Sequence, residues 1–429
     1  MEQLSLFEPL SRTERQKEGL REWIKHGCKG TLSWSTGVGK SYAAIMAIKL
    51  LVSKKPELKV IIVVPTEGLQ SQWNRHIEDN QLTYNCKVLV INTAIKQSLE
   101  CDLLIIDEIH RAGANTFGKI FEVIKYKYIL GLTATLERLD GKHELIQKYC
   151  PEVDKITTIE ATANGWLAQS NEYKVILDVD DLDVYQKYTK EFNEHFEFFQ
   201  YKFDLAMSCL GKDGYKNRSK YRDELCKQNP KLDRKEVFKL VTYHAVSLAR
   251  VLQARKKFIN EHPKKLELTR EIIKARPNSK IITFSATIEI AEKIGLGKVY
   301  SSKDTKKKGR MTLDEFKLAK NAVLNTSKRA DEGLDVPNLS VAIILGQDSS
   351  PTRFIQRRGR ILRAEGDKIS EIFTFVINNT VEMSWFDSSH RNEENKNIIS
   401  IDETNLMKLL RGEEYETYKK PVSKFTFRF

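Results

Sequence analysis

Short apolar runs alternate with helical stretches through the N-terminal part of the chain, and this alternation constrains the fold more than any other feature. Apolar, β-branched runs of this length are typical of strands buried in a parallel sheet. The runs lie at residues 60–64, 88–91, 103–106 and 128–132, and helical spacing lies between them at 41–53 and 68–79. Strands that alternate with helices predict an α/β domain with a doubly wound parallel sheet.

The same pattern returns in the C-terminal half, which predicts a second α/β domain. Strand-like runs occur at 280–284, 322–324, 341–345 and 371–376, with helical stretches at 288–294 and 353–362. A chain of 429 residues is long enough for two or three domains. We expect a flexible tail at 1–9, a first domain at 10–160, a second domain at 161–390 and a C-terminal extension at 391–429.

A segment without strand-like runs, about residues 185–268, predicts a helical insertion in the second domain. It is rich in aromatic residues, which we expect to form its core rather than platforms for nucleic-acid bases. Residues 211–260 hold 14 Lys and Arg against 5 Asp and Glu, which is +9 of the chain's net charge of +13. Such a surplus favours a polyanionic partner, although a solvated basic helix face is the alternative.

A phosphate-binding loop is indicated by Gly37-Val38-Gly39-Lys40-Ser41, which follows a strand-like run at 31–34 and opens a helix. Glycines let the backbone amides of such a loop turn toward a phosphate, and the helix N-terminus favours negative charge. We expect Thr36, Gly37, Gly39, Lys40 and Ser41 to bind ATP, with Lys40 on the β- and γ-phosphates and the Ser41 hydroxyl on Mg²⁺. The usual pattern GxxxxGK[ST] has a glycine where this chain has a tryptophan, at position 34.

Two adjacent acids, Asp107 and Glu108, come directly after the apolar run at 103–106. Strands of a parallel sheet end at one edge, so this pair should lie beside the phosphate loop. We expect Asp107 to hold Mg²⁺ and Glu108 to orient and deprotonate the attacking water. The alternative is a pair of acids that only ends a strand.

In order along the chain, these segments resemble the motifs of superfamily 2 helicases, in which Asp107-Glu108-Ile109-His110 is a variant of the DEAD/DEAH box. The resemblance runs from about Leu10 to Arg363 and implies two RecA-like domains that use ATP and Mg²⁺. It also assigns roles to single residues of the first half. The resemblance implies that Gln16 recognises adenine, that Pro65, Thr66 and Thr93 contact the nucleic-acid backbone, and that Thr133 and Thr135 couple hydrolysis to movement.

The second half resembles the later motifs of the same superfamily. The resemblance implies that Thr326 contacts nucleic acid and that Gly333 and Asp335 contact ATP. Within Gln356-Arg357-Arg358-Gly359-Arg360-Ile361-Leu362-Arg363, it implies that Gln356 faces the γ-phosphate and that Arg360 and Arg363 are arginine fingers. Such arginines stabilise charge that develops in the transition state of phosphoryl transfer.

Three segments favour DNA over RNA as the substrate. Residues 65–73, 131–141 and 330–335 are more similar to the DNA motors of the XPB, UvsW and type I restriction translocase branch than to DEAD-box RNA helicases. We therefore expect an ATP-dependent helicase or translocase that acts on forked or branched DNA in replication, recombination or repair. The alternatives are an RNA helicase and a clamp-tethered module whose ATP cycle only switches its grip on DNA.

The N-terminal residues Gln3, Leu4, Ser5, Leu6 and Phe7 resemble the QL[SD]LF peptide that binds the bacterial sliding clamp. In such a peptide, leucine and phenylalanine fill an apolar pocket and glutamine makes a polar contact at its edge. The alternative is that Leu4, Leu6 and Phe7 pack on the first domain. The clamp interpretation implies a bacterial or phage protein.

Cysteine spacing and hydropathy bear on the cellular compartment. The six cysteines are scattered without a CxxC pair, which argues against a zinc site or a disulfide framework. No apolar run approaches the length of a membrane helix, and the N-terminus lacks the features of a secretion signal. We expect a cytoplasmic protein with no membrane partner, in a bacterial cell or a phage-infected bacterium.

Overall fold

Two parallel β-sheets organise the chain, as the alternating pattern predicts. The computed structural model describes residues 11–113, 117–134, 136, 143–167, 170–301, 303–327, 336, 338–346, 369–390 and 398–418. Both sheets are flanked by helices, so the predicted α/β class with two doubly wound parallel-sheet domains is confirmed.

The first sheet has the strand order β3-β2-β4-β5-β1-β6, and each strand runs parallel to its neighbours. Its strands are β1 Lys29–Trp34, β2 Val60–Val64, β3 Cys86–Val90, β4 Leu99–Asp107, β5 Ile124–Thr133 and β6 Glu152–Ile156. Its helices are α1 Arg12–Lys25, α2 Lys40–Lys54, α3 Glu67–Asp79, α4 Ile91–Ala94, α5 Ile120–Val123, α6 His143–Tyr149 and α7 Thr158–Ala163.

Helices cover both faces of this sheet, because successive strand residues point to opposite sides. Ile62 and Ile105 pack into one apolar cluster with Trp23 and Trp73 of the flanking helices. Ile106, next to Ile105 in the strand, packs into the cluster on the other face. Burial on both sides explains why the strands are continuous apolar runs rather than alternating ones.

The second sheet has the order β13-β7-β12-β11-β8-β10-β9, also with parallel neighbours. Its strands are β7 Ser170–Leu177, β8 Lys280–Phe284, β9 Lys298–Tyr300, β10 Ala322–Thr326, β11 Val341–Ile344, β12 Ser370–Ile377 and β13 Ile398–Asp402. The helices that follow the insertion are α12 Pro263–Ala275, α13 Ile288–Lys293, α14 Lys306–Leu318, α15 Val381–Ser389 and α16 Glu403–Arg411.

Between β7 and β8 lies the expected helical insertion, with α8 Leu182–Phe198, α9 Phe203–Ser208, α10 Gly214–Gln228 and α11 Arg234–Glu261. Helix α12 is not part of it, because Leu268 and Ile272 are buried against the second sheet. The insertion has an apolar core of its own around Phe199, as expected for its aromatics. Tyr201 and Phe203 depart from that expectation, with 62% and 45% of their surface exposed.

Part of the C-terminal extension that we expected at 391–429 packs into the second domain. Strand β13 pairs with β7 over Ile398–Asp402, and Leu406 of α16 is buried in the core of the second domain. The Tyr418 amide also donates to the Ser400 carbonyl oxygen at 2.6 Å. Residues 398–418 therefore complete the second domain.

Cysteine pairing and helix hydropathy can be read from the described residues. All six cysteines carry free thiols. Within the described part of the chain, no helix combines the length and the apolar character needed to cross a membrane.

Candidate functional site

The phosphate loop joins β1 to α2 at the carboxyl edge of the first sheet, as expected. Gly37 and Gly39 have φ angles of 94° and 95°, a region that favours glycine. A side chain at Gly39 would also meet the Gln16 amide, because a Cβ atom there would lie 2.4 Å from Gln16 Nε2. Helix α2 begins at Lys40 without a side-chain cap, so its first amides face the loop.

Lys40 folds back over the loop. Its Nζ donates hydrogen bonds to the backbone carbonyl oxygens of Trp34 at 2.8 Å and Ser35 at 3.5 Å. Ser41 is half-buried at the start of α2. The buried Thr36 hydroxyl has no hydrogen-bond partner among the described residues. Such a polar atom beside the loop fits a site that receives a polar ligand.

The tryptophan at position 34 explains the departure from the usual loop pattern. Trp34 is the last residue of β1, where the backbone is extended and a side chain is tolerated. Its ring is fully buried in the apolar cluster beneath α1 and α2. The positive φ angles of the loop begin only at Gly37. The glycine of the general pattern is therefore not required here.

Gln16, the predicted adenine-recognition residue, packs against the phosphate loop. The side chain is 3% exposed, and its Nε2 donates to the Val38 carbonyl oxygen of the phosphate loop at 2.6 Å. Its Oε1 is buried without a partner among the described residues. A buried amide oxygen can accept a hydrogen bond from an exocyclic amine such as that of adenine. The residues around the loop thus fit ATP at both the phosphate and the base.

Asp107 and Glu108 stand at the end of β4, whose neighbour β5 lies between it and β1. Asp107 is buried, and its Oδ2 accepts a hydrogen bond from Trp73 Nε1 at 2.8 Å. Burial, and next the nearby Glu108 charge, raise the pKa of Asp107 to about 6, against the lowering effects of the Trp73 bond and the Lys40 charge. The position of Asp107 at the carboxyl end of β4, near Lys40, fits the predicted Mg²⁺ ligand.

Glu108 adopts φ of 51°, which is uncommon for a residue with a side chain. This turn aims its carboxylate at His110, with 3.3 Å between Glu108 Oε2 and His110 Nδ1. The same imidazole nitrogen lies 3.1 Å from the Thr133 hydroxyl at the end of β5. His110 Nδ1 therefore lies within contact distance of both the proposed general base and Thr133, one of the two predicted coupling residues, and can hydrogen-bond only one of them at a time.

The predicted nucleic-acid contacts fall into two groups. Pro65 and Thr66 are half-buried at the end of β2, where the Thr66 hydroxyl caps α3, and Thr93 is exposed in α4. Thr326 differs from our expectation. It is fully buried, and its hydroxyl donates to the Thr283 carbonyl oxygen at 2.7 Å, so it offers no surface to DNA in this structure.

Several predicted site residues lie outside the described residues. They are Thr135 of the coupling motif, Gly333 and Asp335 of the ATP contacts, Gln356, Arg360 and Arg363 of the sixth motif, and Gln3, Leu4, Ser5, Leu6 and Phe7 of the clamp peptide. Their assigned roles remain predictions.

One residue of the site, Trp73, was missed by the sequence reasoning. It belongs to the 65–73 segment, but its role depends on the bond to Asp107, 34 positions further along the chain. The ring is 1% exposed beneath the sheet edge. The only signal in the sequence is the Gln72-Trp73 pair that ends this segment. That pair does not indicate that the indole bonds to Asp107.

Comparison with known proteins finds helicase-type domains in both halves of the chain. Residues 10–99 and 83–138 match the family described as type III restriction enzyme, res subunit, and residues 264–365 match the helicase conserved C-terminal domain. The chain is 27% identical over 397 residues to the DNA 3'-5' translocase XPB2 of Sulfurisphaera tokodaii, covering 86% of this chain and 82% of that protein.

A second relative and a solved structure are also similar to this chain. The chain is 23% identical over 463 residues to a putative ATP-dependent RNA helicase of Methanocaldococcus jannaschii, covering 85% of this chain and 58% of that protein. Saccharomyces cerevisiae Dbp5, solved with RNA and ADP BeF3, has a similar fold, with a TM-score of 0.57, 11% identity, and coverage of 92% and 91% of the two chains. The two family matches and the relative from S. tokodaii support a superfamily 2 helicase.

Proposed function

We propose that the chain is an ATP-driven motor that translocates on DNA and remodels forked or branched structures in replication, recombination or repair. The observation that carries this proposal is the placement of the phosphate loop with Lys40 and of the pair Asp107 and Glu108 at the carboxyl edge of one parallel sheet. The S. tokodaii relative is named a DNA 3'-5' translocase, and the proposal extends its substrate and polarity to this chain.

The described residues supply most of the groups that hydrolysis requires. The loop amides and Lys40 hold the phosphates, and the free Oε1 of Gln16 accepts a hydrogen bond from the adenine amine. Glu108 orients the attacking water and takes its proton. Bound Mg²⁺ would stabilise charge on the phosphates, with Asp107 and Ser41 as its ligands. Arg360 and Arg363 would add positive charge from the second domain.

The basic insertion supports a nucleic-acid substrate. Lys216, Lys220 and Lys227 are exposed on α10 at a spacing that places them on one face, and Tyr215 beside them is 70% exposed. Exposed lysines near phosphates release condensed counterions, which gives affinity that depends on salt but not on sequence. Aromatic rings can stack on unpaired bases.

Charge reversal on α10 tests this part of the proposal. The double substitution Lys216→Glu with Lys220→Glu should weaken DNA binding and reduce the slope of log affinity against log salt by about one for each lost phosphate contact. The same reversal at exposed Lys49 of α2 is the matched control. An unchanged salt slope in the α10 variant would exclude the insertion from the DNA interface.

RNA is the competing substrate, since the M. jannaschii relative is named a putative ATP-dependent RNA helicase. A strand-displacement assay separates the two. A forked DNA duplex and an RNA duplex of the same sequence are each incubated with ATP, with a non-hydrolysable analogue, or with the Lys40→Ala variant. Displacement of DNA that needs hydrolysable ATP and Lys40 supports the proposal. Displacement of the RNA duplex alone would show that the substrate is RNA and not DNA.

Recruitment by a bacterial sliding clamp is a further part of the proposal, supported by the sequence of residues 3–7. The double variant Leu6→Ala with Phe7→Ala should abolish binding to the clamp and leave the ATPase rate intact. The control is Leu10→Ala, just beyond the pentapeptide. Equal clamp affinity in the wild type and the double variant would rule out clamp binding through residues 3–7.

A further inference from the structure

Trp34 occupies the position at which the general phosphate-loop pattern has glycine, and its side chain makes a specific polar bond. The indole Nε1 donates to Asp154 Oδ2 at 2.5 Å, although the ring itself is fully buried among apolar groups. Asp154 lies in β6, the edge strand beside β1. The base of the phosphate loop is therefore fixed laterally to a strand that carries none of the predicted motifs.

The same carboxylate oxygen also holds helix α1. Arg15 Nη1 donates to Asp154 Oδ2 at 3.0 Å, while its Nε donates to Glu160 at 3.0 Å and its Nη2 to the Lys155 carbonyl oxygen at 2.9 Å. Burial alone would lower the pKa of the Arg15 guanidinium, but the two carboxylates outweigh it and keep the pKa above its usual value. Arg15 immediately precedes Gln16, which faces the adenine side of the site.

Close packing leaves little freedom between these groups. A Cβ atom on Gly19 of α1 would lie 2.4 Å from the Trp34 ring and 2.7 Å from Asp154 Oδ2. The backbone carbonyl of Trp34 in turn accepts the hydrogen bond from Lys40. One carboxylate thus connects both ends of the nucleotide site: the helix of Gln16 through Arg15, and the loop of Lys40 through Trp34.

We propose that Asp154 is a positioning residue for the nucleotide, which sets the adenine-recognition helix through Arg15 and the phosphate loop through Trp34. The inference rests on the proposed ATP-driven function. It requires the two connections to act on different parts of the nucleotide. Movement of α1 changes the fit of the base, whereas movement of the loop changes the fit of the phosphates, which are the same in every nucleoside triphosphate.

Three substitutions in the full-length protein test this division, with MgATP and MgGTP as the probes. Asp154→Asn should raise the KM for ATP about three- to tenfold and reduce the preference for ATP over GTP. Arg15→Gln keeps the indole bond and should reduce the preference for ATP while changing the KM for GTP little. Trp34→Phe keeps the Arg15–Asp154 pair and should raise both KM values by a similar factor.

The matched control is Asp102→Asn in β4, a central strand of the same sheet. Asp102 likewise pairs with a cation, Lys55 Nζ at 2.7 Å, and accepts from the Lys59 amide at 2.9 Å. Its substitution should lower the melting temperature without changing nucleotide preference. If Asp154→Asn also lowers only the melting temperature and leaves nucleotide preference unchanged, the positioning role is wrong, although the proposed ATP-driven function is unaffected. If the wild type binds neither nucleotide, the proposed function fails and the inference with it.

Discussion

Replacing Trp73 with phenylalanine removes the hydrogen bond that stabilises the charged form of Asp107. The indole Nε1 donates to Asp107 Oδ2 at 2.8 Å in a buried setting, where no water can replace it readily. Phenylalanine keeps most of the apolar volume, so the main chemical change is at the carboxylate. Burial already raises the pKa of Asp107 to about 6. Any further rise of this pKa brings it into the neutral pH range in which the ATPase is assayed.

The size of the effect follows from the strength of the bond. A hydrogen bond to a charged group contributes roughly 1.5–3 kcal/mol, and one pKa unit corresponds to about 1.36 kcal/mol. Loss of the bond should therefore raise the pKa of Asp107 by about one to two units. A protonated carboxyl is a poor Mg²⁺ ligand, so activity is lost as pH falls through this pKa. The acid limb of the ATPase profile should move to higher pH by a similar amount.

The assay is kcat/KM for ATP between about pH 5 and pH 9, measured for the wild type and for two variants. The control is Trp23→Phe, because Trp23 is also fully buried and donates a bond of 2.8 Å, but to the neutral Ile129 carbonyl oxygen. Both variants should be less stable. Only Trp73→Phe should shift the acid limb, and a limb that stays in place, or moves equally in both, would refute this reasoning.

Three further predictions concern other buried contacts. Glu108→Gln should keep ATP and DNA binding but lose hydrolysis, and near-normal turnover would refute the general-base role. Because His110 lies 3.1 Å from the Thr133 hydroxyl, Thr133→Val should retain ATP hydrolysis but displace less strand per ATP, and an unchanged ratio would remove the coupling role. Lys265 pairs with Glu382 where both are fully buried, so Lys265→Met should cost about 3–5 kcal/mol in denaturant unfolding. Adding Glu382→Leu should recover most of that loss, and no recovery would mean that the unpaired charge is not its cause.

The geometry of the candidate ATP site could be predicted from sequence because its determinants are local or lie at strand ends. Gly37 and Gly39 indicate a loop with positive φ angles, and the structure has them. Lys40 and Asp107 follow buried apolar strands, and parallel strands bring their carboxyl ends to one edge.

Strand β7 was missed because half of it is polar. Glu172 and Lys174 do not look like residues of a buried strand, yet Glu172 Oε1 lies 2.9 Å from His390 Nε2 and Lys174 Nζ donates to Asp387 at 2.8 Å. Each partner lies more than 200 positions away. The sequence does not show these distant partners, so it cannot predict that pairing offsets the cost of burying the charged groups.

The sequence likewise could not predict which way individual side chains point. Thr326 lies at the end of β10 as its motif implies, but whether its hydroxyl faces a ligand or the neighbouring strand depends on the strand's register. The bond from Trp73 to Asp107 depends in the same way on how α3 packs against the sheet.

The most direct test of the account is the steady-state ATPase rate of the full-length protein. The rate is measured without nucleic acid and then with single-stranded DNA, duplex DNA, forked DNA and RNA, with Lys40→Ala as the blank. We expect stimulation by DNA, strongest on forked DNA, and none in the variant. Stimulation by RNA alone, or equal rates with and without every nucleic acid, would rule out the proposed function.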